Sequence, residues 1–310
     1  MDFSRLPKTA AIREVCPRDG FQSVKEFIPT EKKLDYIEAM IAAGLDEMEV
    51  TSFVSPKAIP QLADSAEVLT EIRRRHPEVR LTVLVPNLKG AERAVENGAR
   101  ILNYVFSASE SHNKANINRT VAESLNELDR IVPLAGNGVE LSVSIATSFM
   151  CPFEGRVSPE RVAGLVEAVR AKGVQSLCLA ETIGTCLPND FAETLTVVRP
   201  LLDGIPAYLH IHDTYGLALV NVKAALDLGF SRFDSAIGGL GGCPFAPGAA
   251  GNVATEDLVY FLEGLGVETG LRAAALVSVA RRLKEDGLAT MGHLAASSFA
   301  REGRGGACPE

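Results

Sequence analysis

The feature that most constrains this fold is an alternation. Short apolar runs of strand character are followed, eight times over, by longer segments with helical spacing. The strand-like runs are residues 11–16, 47–53, 81–85, 101–106, 140–146, 176–180, 208–212 and 232–237. Helical spacing predicts helices at 30–43, 61–75, 89–97, 121–135, 159–172, 189–202, 217–228 and 255–265. Thr30 is the expected N-cap of the first helix, and Gly44 its expected stop. Strands that alternate with helices pair in parallel through right-handed crossovers. Eight such units in about 265 residues fit a closed (β/α)8 TIM barrel, an α/β fold, better than an open sheet. No G-x-G-x-x-G follows the first strand, which weakens the dinucleotide-binding alternative. Residues 1–270 are therefore expected to form the catalytic barrel. Residues 271–310 would add a short C-terminal extension, with a helix at 271–288 and a loose tail at 297–310.

Charge and cysteine usage narrow the partners. A formal net charge of -8 offers no basic face to phosphates, which argues against nucleic acid. One anionic small molecule needs only a few local cations. No apolar stretch approaches the roughly 20 residues that cross a bilayer. The start MDFSRLPKTAAIREV lacks the regions of a signal peptide, and strand-like sequence from Ala11 leaves little room for a transit peptide. The six cysteines form no CxxC pair, so a disulfide framework or zinc knuckle is not expected. Reduced thiols fit a cytoplasmic enzyme.

A barrel of this kind carries its chemistry at the C-terminal ends of its strands. Polar residues gather there: Pro17-Arg18-Asp19-Gly20, Glu49 with Thr51-Ser52, Ser107-Ala108-Ser109-Glu110, Glu181-Thr182, His210-Ile211-His212-Asp213, and a glycine-rich loop leading to Cys243. Residues two apart on a strand face the same side, so His210 and His212 both point inward. Two imidazoles with a carboxylate such as Asp19 suit a hard or borderline divalent cation, Mg2+ or Mn2+. Asn252, in the loop after strand eight, is a candidate further ligand. Cys243 stands in Gly-Gly-Cys-Pro, where a thiol on a loop over the strand ends could act as an acid or base.

At these residues the sequence closely resembles the 3-hydroxy-3-methylglutaryl-CoA lyases, within the wider group of metal-dependent barrels known for an Asp-Arg-Glu signature. The stretches are PRDGFQ at 17–22, TSFVSPKAIPQ at 51–61, VPNLKG at 85–90, HIHDTYG at 210–216, GLGGCPFAPGAAGN at 239–252 and ATEDLVYFLEGLG at 254–266. The resemblance implies that Asp19, His210, His212 and Asn252 ligate the metal. It implies that Arg18 stabilises an enolate oxygen, that Cys243 transfers a proton, and that Glu49 and Glu256 are supporting carboxylates. It also implies an acyl-CoA substrate and a homodimer. Gln22 and Lys25, with Ser109, Asn113 and Lys114 in the loop after strand four, are the expected substrate contacts. The family usually has Gly-Asp-Thr-Ile-Gly after strand six, where this chain has Ala180-Glu181-Thr182-Ile183-Gly184. A carboxylate near the substrate hydroxyl would then shift by roughly an ångström, enough to matter to catalysis. The expected reaction is a retro-Claisen cleavage to acetoacetate and acetyl-CoA, with His210, Asp19 or Glu181 as base. The alternatives are a lyase for a longer 3-alkylglutaryl-CoA or for citramalyl-CoA, a Claisen-type synthase, and a non-catalytic acyl-CoA-binding homologue.

Overall fold

The computed structural model describes residues 5–242, 251–288 and 292–297. Eight parallel strands close a barrel: β1 (Ala11–Glu14), β2 (Glu47–Ser52), β3 (Arg80–Val85), β4 (Ile101–Ser107), β5 (Glu140–Ala146), β6 (Ser176–Glu181), β7 (Ala207–Ile211) and β8 (Arg232–Ser235). Each strand pairs with its neighbours in sequence, and β1 closes the ring against β8. That is the (β/α)8 architecture expected from the alternation. The helices α1 (Thr30–Ala42), α2 (Ser65–Arg75), α3 (Leu88–Glu96), α4 (Glu110–Ile117), α5 (Val121–Ile131), α6 (Pro159–Arg170), α7 (Pro188–Leu202), α8 (Ala218–Asp227) and α9 (Thr255–Gly264) follow the strands in turn, with two of them after β4. Helices α10 (Ala273–Glu285) and α11 (His293–Ala296) extend the chain beyond the barrel.

The strand period explains where the core sits. In β4, Leu102, Tyr104 and Phe106 are fully buried against the helices, while Asn103 and Val105 face the interior. In β7, Leu209 and Ile211 face the helices, and Tyr208 and His210 face inward. An inward-facing polar set is thereby threaded through an apolar shell.

Two local readings need correction. Thr30 does not cap α1: its hydroxyl donates to Asp64 (3.0 Å), and the cap position falls on Pro29 without a side-chain bond. The segment after β4, read as a loop, is the helix α4. Ser109 accepts the His112 amide at its start (3.1 Å), and Asn118 ends it in the left-handed region (φ 55°). Asn tolerates that conformation better than most side chains, which gives a helix end without glycine. Gly44 stops α1 at φ 107°, as its sequence position suggests. Among the described residues no helix is long and apolar enough to cross a membrane.

Candidate active site

The first strand ends early, and the geometry of the site follows from that. After Glu14 the chain makes one wide helical turn over Cys16–Gly20, with the Gly20 amide reaching back five residues to Val15 O (3.4 Å). Such widened turns are uncommon and cluster at functional sites. Glu14, wholly buried, holds this turn. Its carboxylate accepts from the amides of Cys16 and Ile237 (both 2.9 Å) and from the Thr255 hydroxyl (2.7 Å). Burial lifts Glu14 to about 7, a rise that those three donors restrain.

The turn carries Arg18 and Asp19 to the mouth of the barrel. Arg18 donates to Glu49 and to Asp19 Oδ1 (2.5 Å). Glu49 also accepts from Asn103 Nδ2 (2.7 Å), and Asn103 Oδ1 accepts from the Ser144 hydroxyl (2.9 Å). A belt of polar side chains thus runs from the turn after β1 across β2, β4 and β5 and fixes the guanidinium. Burial disfavours the charge on Arg18, but Asp19 and Glu49 outweigh that and hold it ionised.

Asp19 faces the two histidines. His210 Nε2 and His212 Nε2 lie 3.1 Å apart and 4.0 and 3.9 Å from Asp19 Oδ2. Asn252 completes the cluster, because the 251–254 segment runs alongside the end of β7 (Val253 N to Ile211 O, 3.0 Å). Its Nδ2 donates to Asp19 Oδ2 (2.8 Å) and Leu240 O (2.9 Å), leaving Oδ1 buried without a hydrogen-bond partner. Two glycines permit this approach. A Cβ on Gly241 would strike Asn252 Nδ2, and one on Gly251 would strike Gly239 O.

The cluster fits a divalent cation. Among the described residues Asp19, His210 and His212 offer ligand atoms within 4.8 Å of one another. Burial, and His210 beside it, push His212 down to about 3, so its ring is neutral and able to ligate. Burial pushes the pKa of Asp19 up, but Arg18 and the two histidines more than reverse this and keep it a carboxylate. Two facing imidazole nitrogens, a carboxylate and an orphaned amide oxygen form the donor set of a hard or borderline ion.

The cluster lies in a cavity of about 1900 Å³. Of the sequence-predicted residues, Arg18, Asp19, Gln22, Lys25, His210 and His212 line it. Ser109, Asn113 and Lys114 are not among the described lining residues. Ser109 is the cap of α4 and also meets the Cys151 thiol (2.9 Å). Asn113 is wholly buried, accepting the Ser107 amide (2.8 Å) and donating to Arg119 O (2.9 Å) and the Ser124 hydroxyl (2.8 Å). Lys114 is exposed near Asn118 O (3.5 Å). Within the same helix His112 and Asn116, four residues apart, line the cavity, and Arg119 joins them from just beyond its end.

Glu181 and Glu256 also lie away from the described lining. The Glu181 carboxylate accepts the amides of Gly184, Thr185 and Cys186 and is lifted by burial to about 7. It pairs in register with outward-facing Ile211, whereas Ala180 shares the register of His210. In this structure the Glu181 carboxylate holds the 184–186 turn. Glu256 Oε2 accepts the Gly238 amide (3.0 Å) beneath the glycine-rich loop, and burial lifts it to about 8. Cys243 lies outside the described residues.

Sequence reading missed the groups beneath the histidines. Asp234 on β8 lies 3.2 Å from His210 Nδ1, and Arg13 on β1 grips Asp234 with two bonds (2.8 and 2.9 Å). A charged residue inside a four-residue strand was the available signal.

A parallel barrel with a buried arginine beside a carboxylate–imidazole cluster, at the floor of a large cavity on the strand ends, belongs to the class of carbon–carbon lyases built on this fold. Comparison with known proteins narrows the class. The HMGL-like family matches residues 9–283. The mitochondrial hydroxymethylglutaryl-CoA lyase of Macaca fascicularis is 43% identical over 274 residues, spanning 88% of this chain and 84% of that protein. The cytoplasmic 3-hydroxy-3-methylglutaryl-CoA lyase of Rattus norvegicus is 41% identical over 271 residues, 87% of this chain and 78% of that protein. Among solved structures, an HMG-CoA lyase from Acinetobacter baumannii in complex with coenzyme A and 3-methylmalate superposes with a TM-score of 0.90 at 42% identity, covering 100% of both chains. The chain belongs to the HMGL-like family.

Proposed function

We propose that this chain cleaves 3-hydroxy-3-methylglutaryl-CoA to acetoacetate and acetyl-CoA. The observation that carries the reading is the meeting of Arg18 with the Asp19–His210–His212 cluster on the floor of the cavity. Identity of 41–43% with lyases of that name supports it. Asp19, His210, His212 and the Asn252 amide oxygen would hold Mg2+ or Mn2+, which when bound supplies Lewis-acid polarisation of the substrate's oxygens. A base at the site takes the 3-hydroxyl proton; Asp19 is the candidate, because the one lone pair of neutral His210 is turned to the cation site. The C2–C3 electron pair passes to the thioester as C3 becomes the ketone of acetoacetate. Arg18, pinned by Glu49 and Asp19, donates hydrogen bonds to the thioester oxygen as enolate charge develops there. Cys243, by the family resemblance, returns a proton to C2 to give acetyl-CoA. Gln22 and Lys25, on the cavity wall, contact the thioester's CoA portion.

Three further readings accompany this one. Residues 1–270 act as the catalytic barrel, with 271–310 as an appended extension. The protein works in the cytoplasm, and it works as a homodimer, as the family resemblance implies.

A second substrate reading is favoured by Ala180, which shares the register of His210 on the neighbouring strand and carries a methyl where the family usually has glycine. The substrate would then be a related 3-hydroxyacyl-CoA. One assay tests both readings: acetyl-CoA release from 3-hydroxy-3-methylglutaryl-CoA, longer 3-alkylglutaryl-CoA thioesters and citramalyl-CoA, with Mg2+, with Mn2+ and with a chelator. Highest kcat/KM on the methyl substrate, lost with the chelator, is expected. Preference for another thioester moves the reading to Ala180's side, and no release from any of them overturns it.

A further inference from the structure

Below the cation cluster, three charged or ionisable side chains lie side by side on adjacent strands. Arg13, Asp234 and His210 are direct register partners across β1, β8 and β7. All three are buried. Arg13 Nε and Nη2 donate to the two oxygens of Asp234 at 2.8 and 2.9 Å, a fork-to-fork pair. The second Asp234 oxygen also faces His210 Nδ1 at 3.2 Å. The guanidinium is itself fixed from below. Its carbon lies 4.3 Å from the centre of the Tyr208 ring, whose hydroxyl donates to Glu47 (2.7 Å).

The pair sets the direction of the histidine. Asp234, gripped by an arginine, is an acceptor only, so the ring nitrogen facing it must carry the hydrogen. Neutral His210 then has its lone pair on Nε2, the atom 3.1 Å from His212 Nε2 and 4.0 Å from Asp19. A partner that fixes tautomer and ring plane in this way tunes a ligating histidine from behind. Arg13 touches neither the cluster nor any substrate position, and acts through Asp234.

We propose that Arg13 is a positioning residue: by clamping Asp234 it holds His210 as the Nδ1–H tautomer with Nε2 turned to the cation site. The inference deepens the functional reading above and rests on it for the cation. Its test separates the two. Metal-free protein labelled with 15N-histidine reports the His210 tautomer by NMR, with His210→Asn used for assignment, and Mn2+ titration followed by electron paramagnetic resonance reports affinity. Wild type should show Nδ1–H at His210. Arg13→Met should give mixed tautomers and Mn2+ binding weaker by about ten- to a hundredfold, and Arg13→Lys should recover most of both. An Nε2–H tautomer in wild type overturns the inference, as does a folded Arg13→Met protein with the wild-type tautomer and affinity. If Arg13→Met does not fold, the wild-type and Arg13→Lys tautomers decide. Wild type that takes up no Mn2+ counts against the functional reading, while the tautomer still judges Arg13.

Discussion

The side of the barrel mouth built by β1, β7 and β8 differs in kind from the side built by β4 and β6, although both present polar residues at strand ends. On the first side, side chains bond to one another and keep capacity in reserve. Asn252 has an orphaned oxygen, and two imidazole nitrogens face each other at 3.1 Å. On the second side, capacity is spent on the fold. Asn113 makes three bonds to its own neighbourhood, Ser109 caps a helix, and Glu181 holds three amides. Buried polar groups must be satisfied. Groups left partly unsatisfied at a cavity floor are the ones available to a ligand.

That contrast can be broken by mutation. Arg18→Ala, on the first side, should cut kcat on the preferred thioester by about 10²–10³-fold, or about 3–4 kcal/mol, with far-UV circular dichroism unchanged. Near-native turnover would remove the distinction at its strongest point. Asn113→Ala, on the second side, should instead cost about 2–3 kcal/mol of unfolding free energy in urea, because it strands buried partners, and leave KM unchanged. A raised KM at unaltered stability would turn Asn113 into a ligand contact.

Smaller effects sharpen the picture. Glu256 sits at about 8 in the folded protein, raised by burial from an ordinary value of 4.5. Between those values the folded chain keeps a proton that the unfolded chain has released, so stability falls as pH rises. The contribution is complete below about pH 4.5 and lost through about pH 8, at no more than about 1.4 kcal/mol per pH unit. Glu256→Gln should flatten that slope in urea midpoints measured from pH 5 to 8, and an unchanged slope would show that Glu256 is not held protonated. Ser109→Ala, which deletes a helix cap and a contact with the Cys151 thiol, should cost about 1 kcal/mol and leave cation uptake alone. Altered Mn2+ affinity in that variant would tie the two sides together.

Much of this was legible in the chain itself. The eight alternations specify the barrel because strand and helix periods are local, and Arg18, Asp19, His210 and His212 could be found as polar residues at predicted strand ends. The errors came where one local period was misjudged or where partners were distant. Reading 109–119 as a loop put Asn113 and Lys114 forward and passed over His112, since only a helix turns one face to the cavity. Arg13 and Asp234 are separated by 221 positions, and no local pattern joins them.

Sequence alone determined the architecture and the kinds of side chain at each strand end, since both follow from short-range spacing. Tertiary structure decided which of those side chains remain available. A lone pair or proton is committed by whichever neighbour closure of the barrel brings within about 3 Å, and that neighbour is set by the ring rather than by the order of residues.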